Sequence, residues 1–402
     1  MKRSRIVTCL SAAIGAAAIH ATAAQADAPP VSIKIYGFGQ GDYIYDSQRM
    51  DPNWVDAFRP SKIAVPEGEF GTPGQSSVSV KQSRFGVSGT RPTDTDLGAI
   101  NFKFEFDLFG VGVDEGQTTF RLRHAYGEWG PLLAGQTNTL FMDGDIFPNV
   151  IDYWGPPGMV FLRNPQLRYT PYRDDNMWFA IAIERPGNDV DPGQIREIDP
   201  ALGANIQSDE KYPDLSMQYQ YHDDWGHVQL AGMLRRVGFD TLGTAGNEPN
   251  GAKLGWGIDA TAVIKMFEKD KILLGVVHGD GIANYMNDGG TDLAPAGTVL
   301  SPHAEAVPLT GISAYYDRTW DERFTSSIGY SFTQVDNTSL QEPAAFHKGE
   351  YASFNLLFMP TDKILIGGEF LWGRRSDNDG LAGRDMRFQF SVKYSWDAGF
   401  NI

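Results

Sequence analysis

Beyond residue 30 the chain is built from segments of about ten residues in which apolar and polar side chains alternate, and the connections between segments alternate between short and long. Phe102, Phe104, Phe106 and Leu108 share one face of such a segment and Lys103, Glu105 and Asp107 the other. Near the end of the chain Phe388, Phe390, Val392, Tyr394 and Trp396 alternate in the same way with Arg387, Gln389, Ser391, Lys393 and Ser395. A period of two marks a β-strand with one apolar face. A soluble β-sandwich would alternate too, so the connections decide. Short polar turns fall at 91–96, 128–131, 171–176, 221–226, 268–271, 317–322 and 360–363, between long Gly-, Pro-, Asn- and Asp-rich stretches such as 46–75, 186–213, 279–308 and 336–349. Seven turns make seven hairpins, and one strand at each end brings the count to about 16, with eight long loops. The fold class is therefore all-β, a transmembrane antiparallel β-barrel with short periplasmic turns and long extracellular loops. A barrel of that size leaves an aqueous channel, and an even count lets the first and last strands close the sheet.

The first 26 residues read differently. A basic start (Lys2, Arg3, Arg5), an apolar stretch over 6–19 and the small residues ending Ala24-Gln25-Ala26 describe a cleaved secretory signal peptide, leaving a barrel domain over 27–402. The stretch is too short for a transmembrane anchor of roughly 20 residues. The single cysteine, Cys9, lies inside it, so the mature chain can form neither a disulfide nor a cysteine metal site. Loss of Lys2, Arg3 and Arg5 takes the formal charge from -16 to -19, which disfavours nucleic acid as a partner. Mean hydropathy is -0.31 and no mature segment has 18 consecutive apolar residues, which excludes a helical membrane protein but not a barrel, whose strands average to a hydrophilic sequence. Tyr36, Tyr43, Tyr45, Tyr394 and Trp396 near strand ends read as interfacial girdles.

Strand phase sorts the charged residues. Arg121 and Arg123 lie opposite Phe120 and Leu122 and so point into the lumen, where a guanidinium can grip a carboxylate in a bidentate pair. Arg84, Lys103, Arg168, Arg235, Arg387 and Lys393 fall in the same phase, Arg84 only with a bulge earlier in its strand. Glu105, Asp107, Glu184, Asp259 and Glu369 share that interior. A basic strip facing acidic groups orients dipolar solutes and, where the basic side dominates, admits anions. The same residues could instead pair with one another and only keep the lumen wet.

Other motifs carry less. Gly37-x-Gly39-x-Gly41 lacks the spacing and the following helix of a nucleotide-binding loop. His124, His222, His227, His278, His303 and His347 show no metal-ligand spacing, so neither a metal site nor a cofactor is expected. His124 falls in lipid-facing phase, which suits a subunit contact. A barrel phospholipase would need a serine and histidine paired on one face, and no candidate pair stands out. A plugged structural or adhesive barrel that conducts nothing would fill its lumen with bulky side chains, whereas lumen-phase positions such as Ser216, Gln218, Gln220, Ser327, Gly329 and Ser331 are small or polar.

Several segments look like bacterial general porins: Lys34-Ile35-Tyr36-Gly37, Ser83-Arg84-Phe85-Gly86 and Arg163-Asn164-Pro165-Gln166-Leu167-Arg168-Tyr169-Thr170-Pro171. With Lys103-Phe104-Glu105-Phe106-Asp107-Leu108-Phe109-Gly110, Thr119-Phe120-Arg121-Leu122-Arg123-His124-Ala125, and Phe147-Pro148-Asn149 ahead of Tyr153-Trp154-Gly155-Pro156, the chain resembles the DcaP-like porins. The resemblance implies an outer-membrane diffusion channel, a homotrimer, and uptake of small anionic solutes such as dicarboxylates. It also implies that the long loop after the fifth strand, here 137–160 with Asp143, Asp145 and Asp152, folds into the barrel as a constriction loop. Acidic outer loops are expected to bridge divalent cations to lipopolysaccharide phosphates. Two features depart from the family pattern. Only residues 27–30 precede the first strand where members can carry a helical extension, and residues 397–402 run on past the aromatic residue on which such barrels commonly end.

Overall fold

A computed structural model describes residues 30–110 and 118–402; the segment read as a signal peptide, with Cys9, lies outside the described residues. Sixteen antiparallel strands form one closed barrel. They are β1 (Ser32–Asp46), β2 (Arg84–Arg91), β3 (Ile100–Asp107), β4 (Arg121–Trp129), β5 (Leu132–Asn138), β6 (Arg163–Arg173), β7 (Met177–Glu184) and β8 (Asp214–Asp223). The other eight are β9 (Gly226–Thr241), β10 (Gly251–Met266), β11 (Asp270–Asp280), β12 (Pro308–Thr319), β13 (Phe324–Val335), β14 (Phe346–Thr361), β15 (Ile364–Asp377) and β16 (Ala382–Asn401). Each strand pairs with its sequence neighbour, and β1 closes on β16 from Ser32↔Asn401 to Asp46↔Arg387. All seven short turns fall at strand ends on one side. Not every connection on the other side is long, since β15 and β16 are joined by residues 378–381 alone.

Period-two side chains give the barrel two surfaces. Outward positions such as Leu254, Ile258, Val276, Ile328, Phe354, Phe370 and Phe390 are apolar and exposed around the wall. An apolar belt of this extent has no place in water and matches the lipid-facing surface of a membrane barrel. The inward surface has two sectors. From β9 to β15 it carries Ala231, Met233, Val263, Leu273, Val277, Leu309, Tyr315, Tyr351 and Leu371, all buried. From β16 through β1 to β6 it is mostly polar and charged, with Ile44 and Leu133 among the exceptions.

Three expectations are corrected. Residues 397–401 are no extension beyond the barrel: they complete β16, and Ile402 N donates to Val31 O at 3.0 Å. Tyr36 belongs to no girdle, because its phase is inward and its Oη donates to Glu105 Oε2 at 2.8 Å. A bulge between β3 and β4 inserts Arg123 as an extra residue, so His124 comes opposite Glu105 and faces the lumen rather than lipid. There it is buried against Thr137. The interruption anticipated ahead of Arg84 is a break in the strand: residues Gln75–Ser79 pair with the upper end of β1, and β2 starts again at Arg84.

The belt predicts a depth-dependent penalty. Phe354→Arg, outward at the middle of β14, should lower stability in lipid vesicles by about 2–4 kcal/mol in urea unfolding. An unchanged midpoint would mean that this face does not meet hydrocarbon.

Candidate functional site

The connection between β5 and β6, residues 139–162, does not stay outside: it turns down into the barrel and lies on the apolar inner sector. Its root is held by Glu184 at the end of β7, which accepts from Thr139 Oγ1 at 2.7 Å and Leu140 N at 3.3 Å. Phe141, Met142 and Val160 pack on Ala231, Met233, Val277 and Leu309, while Ile146 and Met159 pack on Val263, Leu273, Tyr315, Tyr351 and Leu371. Polar contacts fix the register. Gly158 N donates to Ser331 Oγ at 2.9 Å, Thr333 Oγ1 to Pro157 O at 2.7 Å, and Ile151 N to Glu369 Oε2 at 2.7 Å. The loop backbone thus finds its hydrogen bonds on small polar inward residues of the wall, as a buried loop must.

The loop carboxylates are anchors rather than free charges, with one exception. Asp143 accepts from Thr261 Oγ1 at 2.6 Å and contacts His227 Nε2 at 2.9 Å. Burial alone would raise this carboxyl, but these two hydrogen bonds and the imidazole hold it below the ordinary carboxylate range. Asp152 accepts from Phe58 N at 3.0 Å and Gly155 N at 2.8 Å, and burial pushes its carboxyl up. Asp145 is exposed.

The loop also reaches a basic patch on β2, β3, β4 and β16, where Tyr153 Oη donates to Asp107 Oδ2 at 2.6 Å and accepts from Arg123 Nη1 at 3.0 Å. Arg121 grips Asp107 with two N–H groups, at 3.1 and 2.8 Å. Arg123 reaches both Glu105 at 2.8 Å and Asp107 at 2.9 Å, and Arg84 and Lys103 also lie against Glu105, at 3.7 and 3.3 Å. Four cations therefore share two carboxylates, leaving two positive charges uncompensated. Lys393, stacked 5.3 Å from Phe38, adds a third and has no ion-pair partner among the described residues. The bidentate grip anticipated for a solute carboxylate is thus already taken, at Arg121, by Asp107.

The remaining lumen-phase residues do other work. Arg168 donates to Gln166 Oε1 at 3.0 Å and to Asn138 O at 2.8 Å. Arg387 is fully buried and holds Asp46 at 2.6 and 3.0 Å along the β1–β16 seam, so it meets no solute. Arg235 is buried between Asp214 at 3.4 Å and Asp292 at 3.2 Å and tethers the outer loops. Asp259 is buried, and its Oδ2 has no hydrogen-bond partner among the described residues.

Strand phase missed the cations carried by loops and strand edges. A cavity of about 660 Å³ opens between the constriction loop, the β4 wall and the loop at 47–74, lined by Arg59, Lys62, Arg121, Arg163 and Arg375 with Asp189 as its one carboxylate. Arg59 stacks over Trp54 and Trp154, at 4.2 and 4.5 Å, and pairs with Asp288 at 2.9 Å. Arg163 lies 5.0 Å from the Phe161 ring and, like Lys62, has no ion-pair partner among the described residues. Arg163 opens the segment Arg163-Asn164-Pro165 quoted above, but at a strand end, where alternation cannot say which way a side chain turns.

The fit of the loop sets a test. A Cβ on Gly158 would stand 2.1 Å from Phe332 O and 2.4 Å from Ile312 O, both backbone atoms. Gly158→Val should push the loop off the wall while the barrel still closes, at an overpacking cost of roughly 1–3 kcal/mol. Single-channel conductance and liposome swelling with larger sugars should both rise; unchanged conductance would show that the loop does not limit the passage.

With this geometry in hand, a sequence model of the DcaP outer membrane protein family matches residues 17–396. Among solved structures, the outer membrane channel DcaP of Acinetobacter baumannii superposes with a TM-score of 0.78 at 20% identity, covering 91% of this chain and 97% of that one. The anion-selective porin from Comamonas acidovorans gives 0.57 at 10% identity over 91% and 100%, and OmpT of Vibrio cholerae 0.55 at 10% over 91% and 98%. No curated protein sequence matches the chain. These likenesses carry the barrel fold, the family match carries the outer-membrane location, and the chain belongs to the DcaP outer membrane protein family.

Proposed function

We propose that this outer-membrane channel favours small anions, dicarboxylates among them. The observation that carries the reading is the pair Lys62 and Arg163, which line the cavity beside the constriction loop without an ion-pair partner among the described residues, while Arg59, Arg121 and Arg375 there are paired with Asp288, Asp107 and Asp377. This cavity meets the wall patch at Arg121, so an anion leaving it finds the uncompensated cluster around Glu105 and Asp107 next. Two cationic side chains within a few ångströms suit a solute with two carboxylates, because each contact replaces part of the hydration shell it strips away. The anion-selective porin from Comamonas acidovorans has the same fold. The filled apolar sector of the lumen favours a narrow passage, and a non-conducting barrel is the outcome that would oppose it.

We also propose cleavage after Ala26 and assembly as a homotrimer, the latter supported by a solved trimer form of OmpT from Vibrio cholerae with this fold. Lipopolysaccharide held through cations at the acidic outer loops completes the proposed surroundings, and stripping divalent cations from outer membranes should then loosen that association.

Selectivity is read best where no carboxylate is orphaned. One unit charge seen at about 7 Å through water is worth about 0.6 kcal/mol, or about three-fold in local anion concentration. Lys62→Ala with Arg163→Ala should therefore lower the anion-to-cation permeability ratio by that order per charge, in reversal potentials across a salt gradient. A wild type that prefers cations, or a ratio the pair leaves untouched, would overturn the anion reading. Native mass spectrometry of the protein extracted from outer membranes should give three chains, each lacking residues 1–26. A monomer mass or an intact amino terminus would refute the corresponding part.

A further inference from the structure

At one anchor of the constriction loop near the periplasmic end, groups far apart in sequence converge on one point. His227 is the second residue of β9, inward-facing beside the periplasmic turn, and His222 stands directly opposite it on β8 with ring centroids 4.9 Å apart. Asp143 reaches down to His227 Nε2 at 2.9 Å, and the exposed Asp145 follows one residue later. One ligating atom each from Asp143, Asp145 and His227 lie within 4.8 Å of one another. A tetrahedral ion with bonds of about 2.0–2.2 Å needs its ligands roughly 3.4 Å apart. Asp145, on an exposed turn, can supply most of that closure by a change of rotamer.

A second observation points to a cation here. Asp259 lies two residues along β10 from Thr261, on the same inward face, and Thr261 is itself bonded to Asp143. Asp259 is 2% exposed, its Oδ2 is unpartnered, and Nε2 of the neighbouring Gln229 is unpartnered too. Among the described residues no lysine or arginine forms an ion pair with Asp143, Asp145 or Asp259. Asp143 has only the His227 ring beside it as a counter-charge, and the buried Asp259 oxygen has no donor at all, which is costly unless a proton or a cation meets it.

We propose that Asp143, Asp145 and His227 form a divalent transition-metal site, best suited to zinc, that clasps the constriction loop to the periplasmic end of the wall. His222 or a water takes the fourth position, and Asp259 supplies charge behind the ligands. Imidazole with carboxylates suits zinc better than magnesium or calcium, which prefer all-oxygen shells of six or more ligands. On binding, the His227 Nε2 lone pair turns to the metal and the neutral ring keeps its proton on Nδ1. A ring that enters as imidazolium releases one proton to water, so binding weakens with acidity.

The test uses the full barrel in detergent, stripped with EDTA and titrated with zinc chloride by calorimetry, with cobalt(II) absorption reporting geometry. One ion per chain, an intense tetrahedral cobalt band and no competition from magnesium are expected. Asp145→Asn, at an exposed position that leaves packing alone, and His227→Gln should each weaken binding by about ten-fold or more. Absence of saturable binding would overturn the proposal. So would binding that either substitution leaves unchanged, since the zinc would then sit elsewhere or without that ligand.

Discussion

A strand in hydrocarbon cannot leave its backbone unpaired, since each unsatisfied N–H or C=O costs several kcal/mol with no water to take its place. The ladder between β1 and β16 meets that constraint for the whole molecule, because it converts a sixteen-strand sheet with two edges into a sheet with none. The seam is reinforced by side chains as well as backbone. Arg387 of β16 holds Asp46 of β1 in a fork and donates to Val55 O at 2.9 Å, which ties the first long loop to the same point. Closure also fixes, for every strand residue, whether it faces lipid or interior, and the constriction follows from how the interior is divided.

That division is chemical. On β9 to β15 the inward residues are apolar enough to seat a loop whose own apolar residues would otherwise stay wet, and small hydroxyls or amides such as Ser331, Thr333 and Asn355 receive its backbone. Around β1 to β6 the inward residues are mostly polar or charged, and apolar ones such as Ile44 and Leu133 are too scattered to seat a descending loop. The loop therefore seats on the apolar sector and touches the polar one through polar groups, Tyr153 on Asp107 and Arg123 and Ile151 O under Gln389, which sets cations directly beside the constriction. Gly158 and Gly311 are the fitted surface of this contact, since a Cβ on either would collide with backbone of the other element.

Much of this is legible in the amino-acid sequence. Alternation and turn spacing gave the strand number and hairpin boundaries, because those features report directly on a sheet with unlike faces. They gave the inward phase of Arg84, Lys103, Arg121 and Lys393 for the same reason. The apolar inner sector was hidden by the same logic: in Lys271-Ile272-Leu273-Leu274-Gly275-Val276-Val277 both faces are apolar, so the period that distinguishes them disappears. One extra residue at Arg123 shifted the phase of everything after it in that strand and turned His124 inward, which no count of two can foresee. Arg59, Lys62 and Arg163 sit on a loop or at a strand end, where direction is set by tertiary contact. The approach of Asp143 to His227 spans 84 residues and exists only because the loop descends.

A chain with a formal charge of -16 is a poor candidate for an anion path until the charges are placed. Electrostatic potential in salt water decays over about 8 Å, so carboxylates on the outer loops act on the membrane surface and on one another more than on a solute at the constriction. Inside the barrel, Asp143, Asp152 and Glu369 face the loop or wall and spend their charge on hydrogen bonds there. Asp107 and Glu105 are outnumbered by the four cations around them, and Arg163 and Lys62 meet the cavity without a carboxylate of their own. The sign of the field along the passage is therefore set by a handful of side chains within a Debye length of it, and it can oppose the sign of the whole chain.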